Sequence, residues 1–268
     1  MEYWIVAALA AFLMGLSKGG VPMIAILSVP LMSLFMDPAL AAGLLLPIYI
    51  VADMYAIYLF RKAFSVRNLV ILLPGAIVGI LIGFAAISYV PGDAGKLLVA
   101  GIGFYYLATA LHKRLSKTPV APRPADVPRG LFWGTLAGLT SYISHAGGPP
   151  YQAYVLPQKL DKMVYLGTNA IFFSIVNLIK VPPFIMAGQI TWDSAGQAMW
   201  LAPFALAGAW GGSMISRALP ERIFYILIEV ALALVSFKLL YEVWLFRDLC
   251  GWTGFRSCAA PTRCCGVG

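Results

Sequence analysis

The sequence predicts an all-α polytopic membrane protein made of two homologous four-segment repeats, each opening with a Gly/Pro-broken helix or re-entrant hairpin. Three observations predict it. Of 268 residues, 61% are hydrophobic and only 11% charged, whereas soluble domains run at about a quarter charged. Several apolar runs approach or exceed the roughly 20 residues that span a bilayer. The stretch "GLSKGGVP" at residues 15–22 also has a worn counterpart, "SHAGGPP", at 144–150.

The first apolar segment covers 3–35 and is interrupted at 17–22. Glu2 stands where a signal peptide would carry a basic n-region, and the apolar run resumes after the glycines, so the segment reads as retained structure. Segments 39–60, 69–90 and 95–111 complete an N-terminal repeat over 1–111. Residues 112–129, "HKRLSKTPVAPRPADVPR", are too polar for a bilayer and too proline-rich for a helix; they read as a cytoplasmic linker. Segments 130–157 (interrupted at 144–150), 163–186, 194–216 and 221–246 then form a C-terminal repeat over 130–246. The tail, 247–268, holds all four cysteines, Cys250, Cys258, Cys264 and Cys265, in no metal-binding spacing, and is expected to be disordered. No cofactor or metal is expected. The net charge of +8 sits mainly in loops, which points to a membrane's cytoplasmic face and away from nucleic acid.

Helix punctuation tests the duplication. Pro74, Gly79, Gly83 and Pro91 match Pro203, Gly208, Gly212 and Pro220 at a constant offset of 129. Gly43 and Asp53 match Gly167 and Asn177 at 124, and Ser17 and Lys18 match Ser144 and His145 at 127. The glycines of 75–83 and 207–212 are expected to serve close packing.

Hydrophobic segments broken at corresponding places in two repeats point to a transporter's binding site. A helix interrupted at bilayer depth leaves N–H groups and a positive dipole end that hydrocarbon cannot solvate. The candidate substrate-binding residues are therefore Ser17, Lys18, Gly19 and Gly20 in one break and Ser144, His145, Gly147 and Gly148 in the other. Pro22 and Pro149 or Pro150 suit the first turn of each outgoing half-helix. Thr140 or Ser141 could add a hydroxyl. A Lys or His at mid-bilayer costs roughly 2.5 kcal/mol or more, which argues for a purpose. Lys18 would be a fixed cation and His145 a switchable one able to couple transport to protons.

Asp53 and Asn177, at equal depth, are candidates for coupling or for a second layer around the site, or else for a helix-to-helix hydrogen bond. Lys180, one turn beyond Asn177, either lines the site or snorkels toward Pro182 and Pro183. Glu229 and Lys238 have no charged counterparts at Ala100 and Thr109 and are read as helix-pairing groups. Trp4, Tyr89, Trp192 and Trp244 read as interface anchors.

Two topologies stay open. Eight spans place eleven basic residues on the linker's face against five; six spans with two re-entrant hairpins place twelve against four. Length leans toward hairpins, because the half-segments 4–16 and 23–35 together exceed one bilayer.

The duplicated four-segment pattern, the "GLSKGGVP" and "SHAGGPP" signatures, the basic central loop and the P-x4-G-x3-G stretches resemble the TauE/SafE family of sulfite exporters over residues 1 to 246. The resemblance implies no enzyme but a multi-pass permease of the bacterial inner membrane, moving a small anion such as sulfite, sulfoacetate or thiosulfate. With no G-x-x-x-x-G-K-[ST] loop in the chain, the expected drive is an ion or proton gradient. The expected partners are that anion and the lipid bilayer, with room for a homodimer. Two other readings compete. A cation or metal transporter would want converging carboxylates or Cys and His, and an intramembrane hydrolase would want an asymmetric nucleophile and base.

Overall fold

Where water is absent, a chain must satisfy its backbone within each segment, and among the described residues every regular element is helical. The computed structural model describes residues 2–86 except 22, 23, 33, 34 and 37, the four positions 101, 104, 105 and 108, and residues 122–249. The rest of the fourth predicted segment, the linker to residue 121, Pro22, Tyr89, the side chains of Ser144, Lys238 and Trp244, and residues 250–268 lie outside the described residues. The helices are α1 (Glu2–Lys18), α2 (Ser28–Met32), α3 (Pro38–Phe60), α4 (Val66–Ala86), α5 (Val127–Ser144), α6 (Gly148–Val155), α7 (Lys162–Met186), α8 (Trp192–Ala218) and α9 (Glu221–Leu249). Four of them, α3, α4, α7 and α8, are long and apolar enough to cross a membrane.

Helix α5 begins inside the stretch read as linker. Asp126 caps it by accepting from the Arg129 N–H, and Pro128 sits in the first turn, where its missing N–H is not needed. Proline content therefore did not bar a helix at residues 127–129, because the prolines precede or open it.

Both breaks are hairpin turns. Helix α1 ends in a Schellman arrangement: Gly20 N–H donates to Ser17 O, Val21 N–H donates to Leu16 O, and Gly20 has φ +113°, a conformation few other residues tolerate. After a 3-10 turn over Ile24–Leu27, α2 runs back along α1, and the Ser28 hydroxyl donates to Ala10 O at 3.0 Å. An unbroken helix would set those two residues about 27 Å apart. In the second break the left-handed residue is His145, φ 51°. Helix α6 and the 3-10 turn Leu156–Gln158 then return to the start of α5, where the Tyr154 hydroxyl donates to Asp126 O at 3.0 Å.

The hairpins enter from opposite ends of the bundle. The start of α1 meets the start of α8 through Tyr3 and Gln197, 2.7 Å apart. The start of α5 lies at the other end: Arg67 donates to Ala125 O, Asn68 and Gln158 exchange amide hydrogen bonds, the Ser65 N–H donates to Thr168, and Lys162 donates to Ser216 O and Leu219 O at the finish of α8.

Small residues decide which helices touch. Helix α1 packs along α8, and α5 along α4. A Cβ on Gly208 would run into Phe12 O, and one on Gly79 into Thr135 O. Two residues matched at offset 129 thus occupy equivalent close approaches, the first between α8 and α1 and the second between α4 and α5. Each hairpin leans on the third segment of the opposite half of the chain.

Candidate functional site

Helices α3 and α7 form the centre, and their closeness is again a glycine effect. The space a Gly43 side chain would fill is taken by Gln189 O, and that of Gly167 by Ala63 O. Their middle turns then project one polar or aromatic residue every four positions along a facing stripe. Helix α3 supplies Tyr49 and Asp53; α7 supplies Asn169, Phe173 and Asn177.

Between this stripe and the two hairpin tips is a cavity of about 60 Å³, room for a few waters or one small oxyanion. Ser17 and Lys18 line it from the first tip, Ser141, His145, Gly148 and Gln152 from the second hairpin, Tyr49 from α3, and Asn169, Phe173 and Asn177 from α7. Ala25 closes it from the return limb of the first hairpin, where its carbonyl accepts from the Tyr49 hydroxyl at 3.5 Å.

The charges sit in two groups. Lys18 Nζ meets Asp53 Oδ1 at 2.6 Å, both side chains almost fully buried, and the other Asp53 oxygen accepts from Asn177 Nδ2 at 2.7 Å. The Lys18 ammonium also lies over the rings of Tyr49, at 5.1 Å, and Phe173, at 5.7 Å. Those two rings are themselves matched at offset 124, as Asp53 and Asn177 are.

Lys180 forms the second group. It is fully buried and donates to Ser141 O at 3.2 Å, Ser141 Oγ at 3.1 Å and His145 Nδ1 at 3.0 Å, with no carboxylate in its ion-pair shell among the described residues. An ammonium only donates, so His145 Nδ1 accepts. His145 Nε2, 3.2 Å from Ala42 O, must then carry the hydrogen. The imidazole is held as the neutral Nε2–H tautomer and stacks on Tyr49 at 5.0 Å and 8° between planes. Lys18 and Asp53 cancel, so a protonated Lys180 is the charge that an anion entering the site would balance.

Several sequence expectations land differently. Lys18 does face the cavity, but its charge is matched by Asp53, and the buried lysine without a carboxylate partner among the described residues is Lys180, placed behind Ser141 and His145 rather than snorkelling outward. Asp53 and Asn177, expected at equal depth, bond each other directly. Gly19 and Gly20 do not line this cavity. They let the first tip press on α8 around Gly212, Ser213 and Ser216, and the Gly19 and Gly20 N–H groups are spent on Gly15 O and Ser17 O. Gly147 packs between Ala137 O, Ser141 and Phe173. Gly148 does reach the cavity, and because Pro149 and Pro150 follow it, it holds the one N–H donor in the first turn of α6. Thr140 is buried and turns its hydroxyl to Leu136 O, whereas Ser141 lines the cavity. The sequence reading missed Tyr49, Gln152, Asn169 and Phe173. Stepping by fours back from Asp53 and Asn177, and forward from Gly148, would have found all four.

A family model described as sulfite exporter TauE/SafE matches residues 4–239. The chain belongs to the TauE/SafE family. It is accordingly a membrane transporter of sulfur-related anions and not an enzyme. No curated protein and no solved structure matches it.

Proposed function

We propose that this TauE/SafE protein is a secondary transporter of a small sulfur oxyanion, sulfite or an organosulfonate, which it binds in the cavity between the two hairpin tips. The carrying observation is Lys180: a buried ammonium without a carboxylate, touching two residues that line a polar cavity. An anion there completes the charge balance and finds donors in the hydroxyls of Ser17 and Ser141 and the Gly148 N–H. A cation would meet an unbalanced positive charge at close range, which disfavours the rival reading.

The protein is proposed to work in the bacterial inner membrane as two inverted repeats, 1–111 and 130–246. The matching close approaches of Gly79 to Thr135 and Gly208 to Phe12, and of Gly43 to Gln189 and Gly167 to Ala63, support that symmetry. Because glycine seams bind each hairpin to the far half's third segment, the rigid units of an alternating-access motion are α1–α2 with α8 and α5–α6 with α4. These rock about the α3–α7 pair.

The test is uptake into liposomes of sulfite, thiosulfate, sulfoacetate, simple carboxylates and monovalent cations, with and without a proton gradient. Lys180→Met should lower apparent anion affinity roughly tenfold to a hundredfold, the range for a hydrogen bond to a charged group, while the protein stays monodisperse. Unchanged anion uptake in that variant, or uptake of a cation instead, would sink the proposal.

A further inference from the structure

Among the described residues that line the cavity, Gln152 carries a buried carbonyl oxygen that the architecture leaves without a partner. It sits on α6, whose return limb is buried on all sides, and is itself 2% exposed. Its carbonyl oxygen is shielded from solvent and has no hydrogen-bond partner. A buried acceptor without a donor is costly and uncommon in a folded protein. Its neighbours in the cavity wall are otherwise engaged: Asn177 gives its NH2 to Asp53, the Tyr49 hydroxyl goes to Ala25 O, and Lys180 spends its donors on Ser141 and His145. Ser17 and Asn169 also line the cavity, and neither donates to the Gln152 carbonyl oxygen, so what enters the cavity can supply the donor.

Charge gives an independent constraint. The titratable groups lining the cavity are Lys18 from α1, Tyr49 from α3 and His145 from the second tip; just behind the wall stand Asp53 from α3, paired with Lys18, and Lys180 from α7. With Lys180 protonated, their sum is one positive charge. A singly charged anion neutralises it; a dianion would leave an unbalanced negative charge in a site with almost no water, where such an excess is strongly disfavoured.

We infer that the cavity takes its anion in the singly charged, protonated form, with the Gln152 carbonyl accepting the ligand's O–H. The inference rests on the small-anion reading above and narrows it. Hydrogen sulfite, in its O–H form, offers one donor for Gln152 and two oxygens for the hydroxyls and the Gly148 N–H. Sulfite itself, sulfate, thiosulfate and sulfoacetate are dianions without that proton. Methanesulfonate matches hydrogen sulfite in charge and nearly in size but has no O–H, so Gln152 becomes a specificity-determining residue.

Calorimetric titration of the full-length protein in detergent separates these cases, with sulfite, sulfate and methanesulfonate as probes on the acid and alkaline sides of sulfite protonation. Methanesulfonate is monoanionic at both pH values and so reports any titration of the protein's own groups. On the acid side hydrogen sulfite should bind about tenfold more tightly than methanesulfonate, the worth of one hydrogen bond. Its advantage should vanish on the alkaline side while methanesulfonate binding holds, and sulfate should bind at neither. Gln152→Leu should leave methanesulfonate binding intact and bring hydrogen sulfite down to the same level; Gln152→Met, closer in shape, should do likewise. Sulfite binding that persists after deprotonation, sulfate binding as tight, or a hydrogen sulfite preference that survives in both variants would overturn the inference. Binding of none of the three probes would overturn the small-anion reading itself.

Discussion

Lys18 and Asp53 account for each other's burial. Removing one member of a buried pair strands the other, at about 3–5 kcal/mol, so Lys18→Met should markedly lower thermal stability in detergent. Asp53→Asn should do the same, and the double variant Lys18→Met with Asp53→Asn should recover most of the loss. A double variant no more stable than the singles would show that the pair is not what keeps either residue in place. His145 poses a different case. Both of its ring nitrogens are occupied, one by Lys180 and one by Ala42 O, which makes it a brace for the second tip rather than the proton switch its residue type suggested. His145→Gln should slow uptake in liposomes yet keep the wild-type pH profile; a flattened profile would restore the switch. The sequence made Lys18 and His145 conspicuous as polar residues in apolar runs. It could not show that Lys18 has a partner 35 positions away, since an ion pair across two helices leaves no spacing pattern behind.

At the scale of helices, the bundle is organised inside out relative to a soluble one. Glycine and alanine fill the seams, while Val70, Val78, Leu81, Trp200, Phe204 and Trp210 lie outward and exposed. Association in lipid depends on close backbone contact rather than on hiding large apolar side chains. Gly79→Val and Gly208→Val should therefore each destabilise by about 1–3 kcal/mol, the usual cost of overpacking, and by similar amounts, because the two positions make the same kind of contact. Thermal unfolding of the two variants side by side checks this; one tolerant and one intolerant site would argue against equivalent seams. The constant offset of 129 makes these glycines legible in the sequence itself. Their partners are not legible there: a small-residue stripe signals that some backbone comes near, and here the one that does belongs to the other half of the chain.

For the molecule as a whole, hairpin breaks decide between the two topologies the sequence left open. Fold-back after Val21 and at 145–147, with entry from opposite ends, leaves residues 122–126 at the same end as residues 61–67, 158–162 and 216–222. That is the arrangement for which the sequence counts twelve basic residues against four, and from that excess we propose that this end is cytoplasmic. Hydropathy alone made the spans legible, because the bilayer imposes a length. It did not settle the hairpins, because a half-helix that turns back and one that continues have the same composition. With the four native cysteines replaced, Gly188→Cys should react with a membrane-impermeant maleimide in intact cells, and Lys62→Cys only in inverted vesicles. The reverse pattern would turn the molecule over.

The exchange of hairpins between halves also sets a timetable for synthesis. Helix α1 is complete at residue 18, but the helix its glycine seam packs against does not begin until residue 192. At about 5–20 residues per second, the first hairpin waits roughly ten to thirty seconds in the membrane with its glycine face uncovered. It therefore needs the translocation machinery, lipid or a chaperone as a temporary neighbour. Nascent chains arrested before α8 should show this hairpin open to thiol labelling at Ser17→Cys, and chains arrested after α8 has emerged should show it closed.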